Sequence, residues 1–97
     1  MSATKPINFD GVETLSFRQI DDLNGFVKGT AFRLFKRAGS DLMEGRDYYY
    51  LPASSHGAFI ESLRALGSIY SSTRHLVLIT RSGYGRMSAP QAGSRSD

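Results

Sequence analysis

The chain has 97 residues, room for one domain that buries only about 60 to 65% of its unfolded surface. Its composition, 40% hydrophobic and 22% charged with six Phe and five Tyr, is that of a globular chain and excludes wholesale disorder. With no cysteine, disulfides, thiolate nucleophiles and thiolate zinc sites are excluded together, and the net charge of +3 directs attention to how the cations are distributed.

Residues 1–11 mix Ser, Thr, Pro, Asn and Gly without periodicity and are expected to form a flexible arm. Val12 to Leu15 suits a short strand, and Ser16 with Gln19 has capping-box spacing, so a first helix is expected to follow. In it Phe17, Ile20 and Leu23 make a narrow apolar stripe, while Arg18, Gln19, Asp21 and Asp22 are expected to point outward. Asp21 and Asp22 diverge by about 100° on a helix and read as a solvated face, not as a catalytic pair. Asn24-Gly25 ends this helix.

A second helix is expected to begin near Lys28 to Thr30 and to stop at Gly39. Wound at about 100° per residue from Thr30, Leu34, Ala38, Ala31 and Phe35 fall between roughly 40° and 140°, whereas Lys36, Arg33 and Arg37 fall between roughly 240° and 340°. One face is apolar and the other is a stripe of cations. Two short helices joined by a glycine turn, the second of them basic, have the form of a helix-turn-helix.

Arg46 to Leu51 reads as a strand with Tyr48 and Tyr50 on one face, Tyr49 and Leu51 on the other, and one tyrosine packed behind the basic helix. Ser54 and Ser55 are candidate caps for a third helix over roughly 57–66, with Phe59, Leu63 and Leu66 on its apolar face and Ile60 beside them. Leu76 to Thr80 reads as a buried strand able to pair with the tyrosine strand. After it, Arg81-Ser82-Gly83-Tyr84-Gly85-Arg86 is expected to be a basic, glycine-rich wing, since its Gly-x-Gly lacks the further residues of a nucleotide loop. The tail 88–97 is expected to be disordered.

The fold class expected is therefore α+β: a small winged helix-turn-helix over 12–87, about three helices plus a short antiparallel β-ribbon. Its longest aliphatic run, Leu76 to Ile79, is far short of the roughly 20 residues of a membrane span. The N-terminus lacks the apolar core of a signal peptide, so a cytoplasmic location without a membrane partner is expected. His56 and His75 are far apart and lack a carboxylate at ligand spacing, so neither a metal nor another cofactor is expected.

The segment from Thr14 to Met87 resembles the N-terminal DNA-binding domains of phage antirepressors and related prophage regulators, the KilA-N, Bro-N and ORF-six-N group. The matching residues are Ile20-Asp21-Asp22-Leu23, Gly29-Thr30-Ala31 with Phe35 and Arg37, Glu44-Gly45-Arg46-Asp47-Tyr48-Tyr49, and Leu78-Ile79-Thr80 followed by Gly83-Tyr84. The resemblance implies DNA binding by a phage or prophage regulator inside a bacterial host. Such domains usually carry an acidic residue where this chain has Arg81 and Ser82, which implies a more basic wing here.

Charge supports the same partner. Lys28 to Arg37 and Arg74 to Arg86 hold seven of the twelve cations and no Asp or Glu, which points to a polyanion. Lys28, Thr30, Arg33, Lys36 and Arg37 are the candidate major-groove residues on double-stranded DNA, with Arg74, Arg81, Tyr84 and Arg86 as candidate backbone contacts. A single module of this size buries about 600 to 1,000 Å², so a homodimer or cooperative oligomer on DNA is expected. The alternative is an antirepressor that binds and inactivates another phage regulator through the same basic faces. No cysteine, no histidine beside a carboxylate and no paired acids on one face give a basis for an enzyme.

Overall fold

The computed structural model describes residues 5–88, and its first strand lies inside the segment expected to be an arm. Strands β1 (Ile7–Phe9) and β2 (Val12–Leu15) pair antiparallel, with Ile7 opposite Thr14 and Phe9 opposite Val12. Asp10 and Gly11 link them with φ of +54° and +79°, the left-handed pair of a type I′ turn. Thr14 fixes the hairpin by donating its hydroxyl to the Ile7 carbonyl at 2.7 Å. The expected arm is thus corrected: the Asp-Gly dipeptide between Phe9 and Val12 closes a hairpin. Residues 1–4 and 89–97, which include nearly all of the expected tail, lie outside the described residues.

Helix α1 (Phe17–Asn24) opens on the capping box that the spacing predicted. Gln19 N–H donates to Ser16 Oγ at 3.1 Å, and Ser16 N–H donates to Gln19 Oε1 at 3.0 Å. Helix α2 (Thr30–Ala38) follows and ends at Gly39, where a short 3-10 turn (Gly39–Asp41) leads on to β3 (Tyr48–Leu51). Then come α3 (Ala53–Ala65), β4 (Leu76–Thr80) and α4 (Arg81–Ser88). The sheet is antiparallel throughout in the order β1-β2-β4-β3. The tyrosine strand pairs with β4 as expected, Tyr49 opposite Leu78 and Leu51 opposite Leu76. Among the described residues the fold is α+β with four helices and four strands, of which α4 and β1 were not expected.

Side-chain alternation on β4 divides the core into two layers. Leu76 and Leu78 join Ile7, Leu51, Ile60, Leu63 and Ile69 beneath α3, with Phe9, Tyr49 and Phe59 packed against them. Ile79 joins Ile20, Ala31, Leu42 and Met87 on the side of α1, α2 and α4, where Val77 and Tyr48 also pack. A strand covered on both faces needs an apolar run without polar alternation, and Leu76 to Ile79 supplies it. Tyr48 packs edge-on against Phe35 at 5.0 Å between centroids, which places one tyrosine behind α2 as predicted. Two apolar stripes are narrower than expected. Leu23 and Leu66 are exposed, whereas Gln19, expected outside, is buried by its capping role.

The expected wing is a helix. Thr80 Oγ1 accepts the Gly83 N–H at 3.2 Å, an N-cap that starts α4 immediately after β4. Gly83 then lies against the turn before β3: a Cβ there would sit 1.9 Å from the Asp47 carbonyl oxygen, so only glycine fits. That carbonyl also accepts the Thr80 N–H at 3.0 Å. The Asp47 carboxylate, fully buried, meets Arg46 Nη2 at 2.9 Å, Arg86 Nε at 3.4 Å, the Met43 N–H at 3.0 Å and the Ser82 hydroxyl. One side chain therefore ties the β3 entry to α4.

The Arg46 hydrogen bond holds the Asp47 carboxyl well below its ordinary 3.8, against burial, which pushes the other way, and with help from Ser82 and Met43. A carboxylate with a depressed folded-state pKa contributes stability that is complete above the unfolded value and is lost as pH falls towards the folded one. In urea unfolding, the stability advantage of the parent over Asp47→Asn is therefore expected to be full above about pH 4 and to shrink steadily below it. An advantage independent of pH would remove the buried charge from this role.

Candidate nucleic-acid interface

Helix α2 is positioned from its first residue by an acid on α1. Asp21, buried, accepts the Gly29 N–H at 3.0 Å through Oδ2 and the Ala31 N–H at 2.8 Å through Oδ1. The Tyr70 hydroxyl donates to the same carboxylate. Burial, then the hydrogen bond to Asp21, push the Tyr70 phenol up to about 12, so it stays a neutral donor. Gly29 enters the helix at φ +94°, a backbone that other residues adopt only with strain. The reading of Asp21 as a solvated residue is thus corrected: it caps α2 from outside that helix. Asp22 does face solvent, where it pairs with Arg18 at 3.7 Å.

With its start fixed, α2 turns Ala31, Leu34, Phe35 and Ala38 towards the core and leaves Arg33, Lys36 and Arg37 exposed, as the helical angles predicted. Thr30 at the helix start donates its hydroxyl to the Val27 carbonyl at 2.8 Å and receives Arg33 Nη2 at 3.3 Å. Lys28 lies over the Tyr70 ring at 5.1 Å and Lys36 over the Phe32 ring at 5.7 Å. Among the described residues, Lys28, Arg33, Lys36, Arg37 and Arg74 have no carboxylate within ion-pair distance. Lys5 is the one other such cation among those residues. Unpaired positive charge is therefore concentrated on α2 and the loop before β4.

The remaining candidates are distributed differently from the wing expected of them. Arg74 and Arg81 flank the two ends of β4, about 17 Å of strand, so they do not grip one stretch of backbone together. Arg81 projects into solvent with Glu13 3.9 Å away. Arg86 is engaged with buried Asp47, a structural partner. Tyr84 packs partly against the core beneath α2, its hydroxyl beside the Asn24 amide at 3.1 Å. Of the nine candidate residues, the structure brings Thr30, Arg33, Lys36 and Arg37 together on α2, with Lys28 in the turn that leads into it.

A cleft of about 810 Å³ opens beside α2. It runs from Lys28 and Phe32 past Tyr70 to Tyr50 and the loop at Ser72, Thr73 and His75, which sets Arg74 between two lining residues. Sequence reading missed Phe32, Tyr70 and this loop as one site, because residues some 40 positions apart meet only through the β3–β4 pairing. No protein-family model, curated protein or solved structure matches this chain.

Asp21→Ala is expected to leave two backbone amides and a phenol without their acceptor and to cost about 1 to 3 kcal/mol. Hydrogen exchange checks it: amides at residues 29 to 31 should lose protection before those of β4, whereas uniform loss would deny Asp21 a local hold on α2.

Proposed function

We propose that this chain is a DNA-binding regulatory domain of the phage or prophage type, in which α1 and α2 serve as a helix-turn-helix and α2 enters the major groove. The single observation that carries the reading is the cationic face of α2. Arg33, Lys36 and Arg37 stand exposed and unpaired on a helix whose opposite face is anchored in the core. Unpaired cations on a rigid element suit a polyanion, because no internal ion pair must be broken on binding. Arg33 is the candidate base reader, since a guanidinium can bond guanine through two parallel hydrogen bonds. Lys28, Lys36 and Arg37 serve the phosphates on either side, and Arg74 extends the track beyond the helix.

A helix in place of the expected wing changes the division of labour. With Arg86 engaged by Asp47 and Arg81 beyond the far end of β4, backbone contacts fall to Arg37, Arg74 and the lysines. Nine helical residues give α2 about two and a half turns, a short reach along the groove. Two copies on a repeated site supply the rest of the surface that tight, specific binding needs.

Arg33→Ala is expected to weaken the preferred site by about 1 to 3 kcal/mol while leaving random duplex nearly unchanged. Arg74→Ala should weaken both alike. Mobility shifts on a site selected from random DNA, with unlabelled random duplex as competitor, read the two outcomes. Parent-like binding by both variants would contradict this assignment, and binding to an acidic protein partner in place of DNA would favour the antirepressor alternative.

A further inference from the structure

The cleft beside α2 is lined in a way that duplex binding does not use. Phe32 and Tyr50 are the two most exposed aromatic side chains among the described residues, at 48% and 43%, and both border it. Exposed rings of this size forgo burial worth having in a small domain, unless a ligand covers them. Phe32 is also the outer end of a ladder of rings. It packs edge-on against Phe17 at 5.6 Å, Phe17 against Phe35 at 5.4 Å, and Phe35 against Tyr48 at 5.0 Å, so the lip ring is backed by three others and by the sheet. Across the cleft Tyr50 stacks loosely on His75 at 6.1 Å.

The rim is cationic. Among the described residues, Lys28 and Lys36 are unpaired and held over aromatic faces, Arg18 lies 5.8 Å from the Tyr70 ring, and Glu44 is the only acid bordering the cleft. The amides at the start of α2 are not a second anion site, because Asp21 already occupies them. Flat rings for a flat ligand, with cations around them, select a planar group that carries negative charge. A volume of about 810 Å³ exceeds a simple aromatic acid and suits a base with its sugar and phosphate.

We infer that the cleft between α2, β3 and the loop before β4 binds an unpaired nucleotide, its base stacked on Phe32 and Tyr50 and its phosphate held by Lys28 and Lys36. Two sources share this chemistry: a free mononucleotide, and an unstacked nucleotide within a single strand running past α2. Neither ring belongs to the Arg33 face, whereas Lys28 and Lys36 are shared with the phosphates of the duplex reading, so the rings are what distinguish this site.

The test uses the whole chain at low salt. Fluorescence anisotropy of fluorescein-labelled dT12 is followed with dTMP, inorganic phosphate or a hexaglutamate peptide as competitor, and backbone amide shifts are recorded with dTMP alone. Expected are competition by dTMP at concentrations where phosphate and hexaglutamate have no effect, and shifts at Lys28, Phe32, Tyr50 and residues 72 to 75. Phe32→Ala should weaken dT12 by about 5- to 150-fold, the range of one stacked base, and Phe32→Tyr should restore it. Duplex affinity should be unaltered in both variants, which separates the ring contact from the cations that both readings use. Affinity for dTMP equal to that for dT12 assigns the free nucleotide, and tighter dT12 binding assigns the strand. Competition by phosphate or hexaglutamate as strong as by dTMP, a folded Phe32→Ala chain that binds dT12 like the parent, or no shift at the cleft would each overturn the inference.

Discussion

A single carboxylate determines where α2 can lie. Asp21 accepts two amides from the start of that helix and a phenol from the loop after α3, so three segments meet at one acid. A free helix N-terminus would need water or a side-chain cap of its own, and Gly29 supplies none. With Asp21 as a remote cap, the N-terminal turn is fixed relative to α1, and the rotation of α2 follows from Ala31 and Phe35 entering the core. The cations on the opposite face are thus presented by packing, not by their own interactions. Lys28 lies over Tyr70 in the same arrangement, which links the start of α2 to the cleft.

Asp47 performs a comparable task at the other side of the sheet. Its carbonyl closes on Thr80 and its carboxylate on Arg46, Arg86 and Ser82, which joins β3, β4 and α4. A buried acid with this many donors is costly to expose and costly to leave unpaired. Arg86 is held for that reason, and its charge is partly neutralised before any partner arrives. A run of cations in a sequence therefore overstates the charge available for binding: Arg46 and Arg86 serve the fold, whereas Arg33, Lys36 and Arg37 do not.

Much of the architecture was legible because local signals agreed with tertiary ones. The capping box at Ser16 and Gln19, the amphipathic angles of α2, the stop at Gly39 and the alternation through Tyr48 to Leu51 all depend on neighbours within a few residues. The misreadings share a different cause. Two glycines in six residues argue against a helix at Arg81 to Arg86, since each costs about 1 kcal/mol relative to alanine. Only the Asp47 carbonyl, 36 residues earlier in the chain, explains why Gly83 is required within one. Asp21 was misjudged likewise, because its partners lie 8, 10 and 49 residues away. The Asp10-Gly11 turn, by contrast, carried a readable hairpin signal that the unpatterned arm around it obscured. Of the candidate site, the α2 face was visible in the sequence, and the aromatic cleft beside it was not, since it exists only where the loop at residues 72 to 75 returns.

The duplex reading turns on charge, and charge leaves a thermodynamic signature. Each phosphate neutralised releases counterion, so affinity falls with salt at a slope of about −0.9 per contact. With Lys28, Lys36, Arg37 and Arg74 on phosphates, the log-log slope of duplex affinity against salt should be about −3.6 per subunit, and should shrink by about 0.9 in Lys36→Ala. The direct measurement is this slope for the parent chain and for Lys36→Ala on the same duplex. Absence of duplex binding at low salt, or the same slope in both, would contradict a nucleic-acid role for α2.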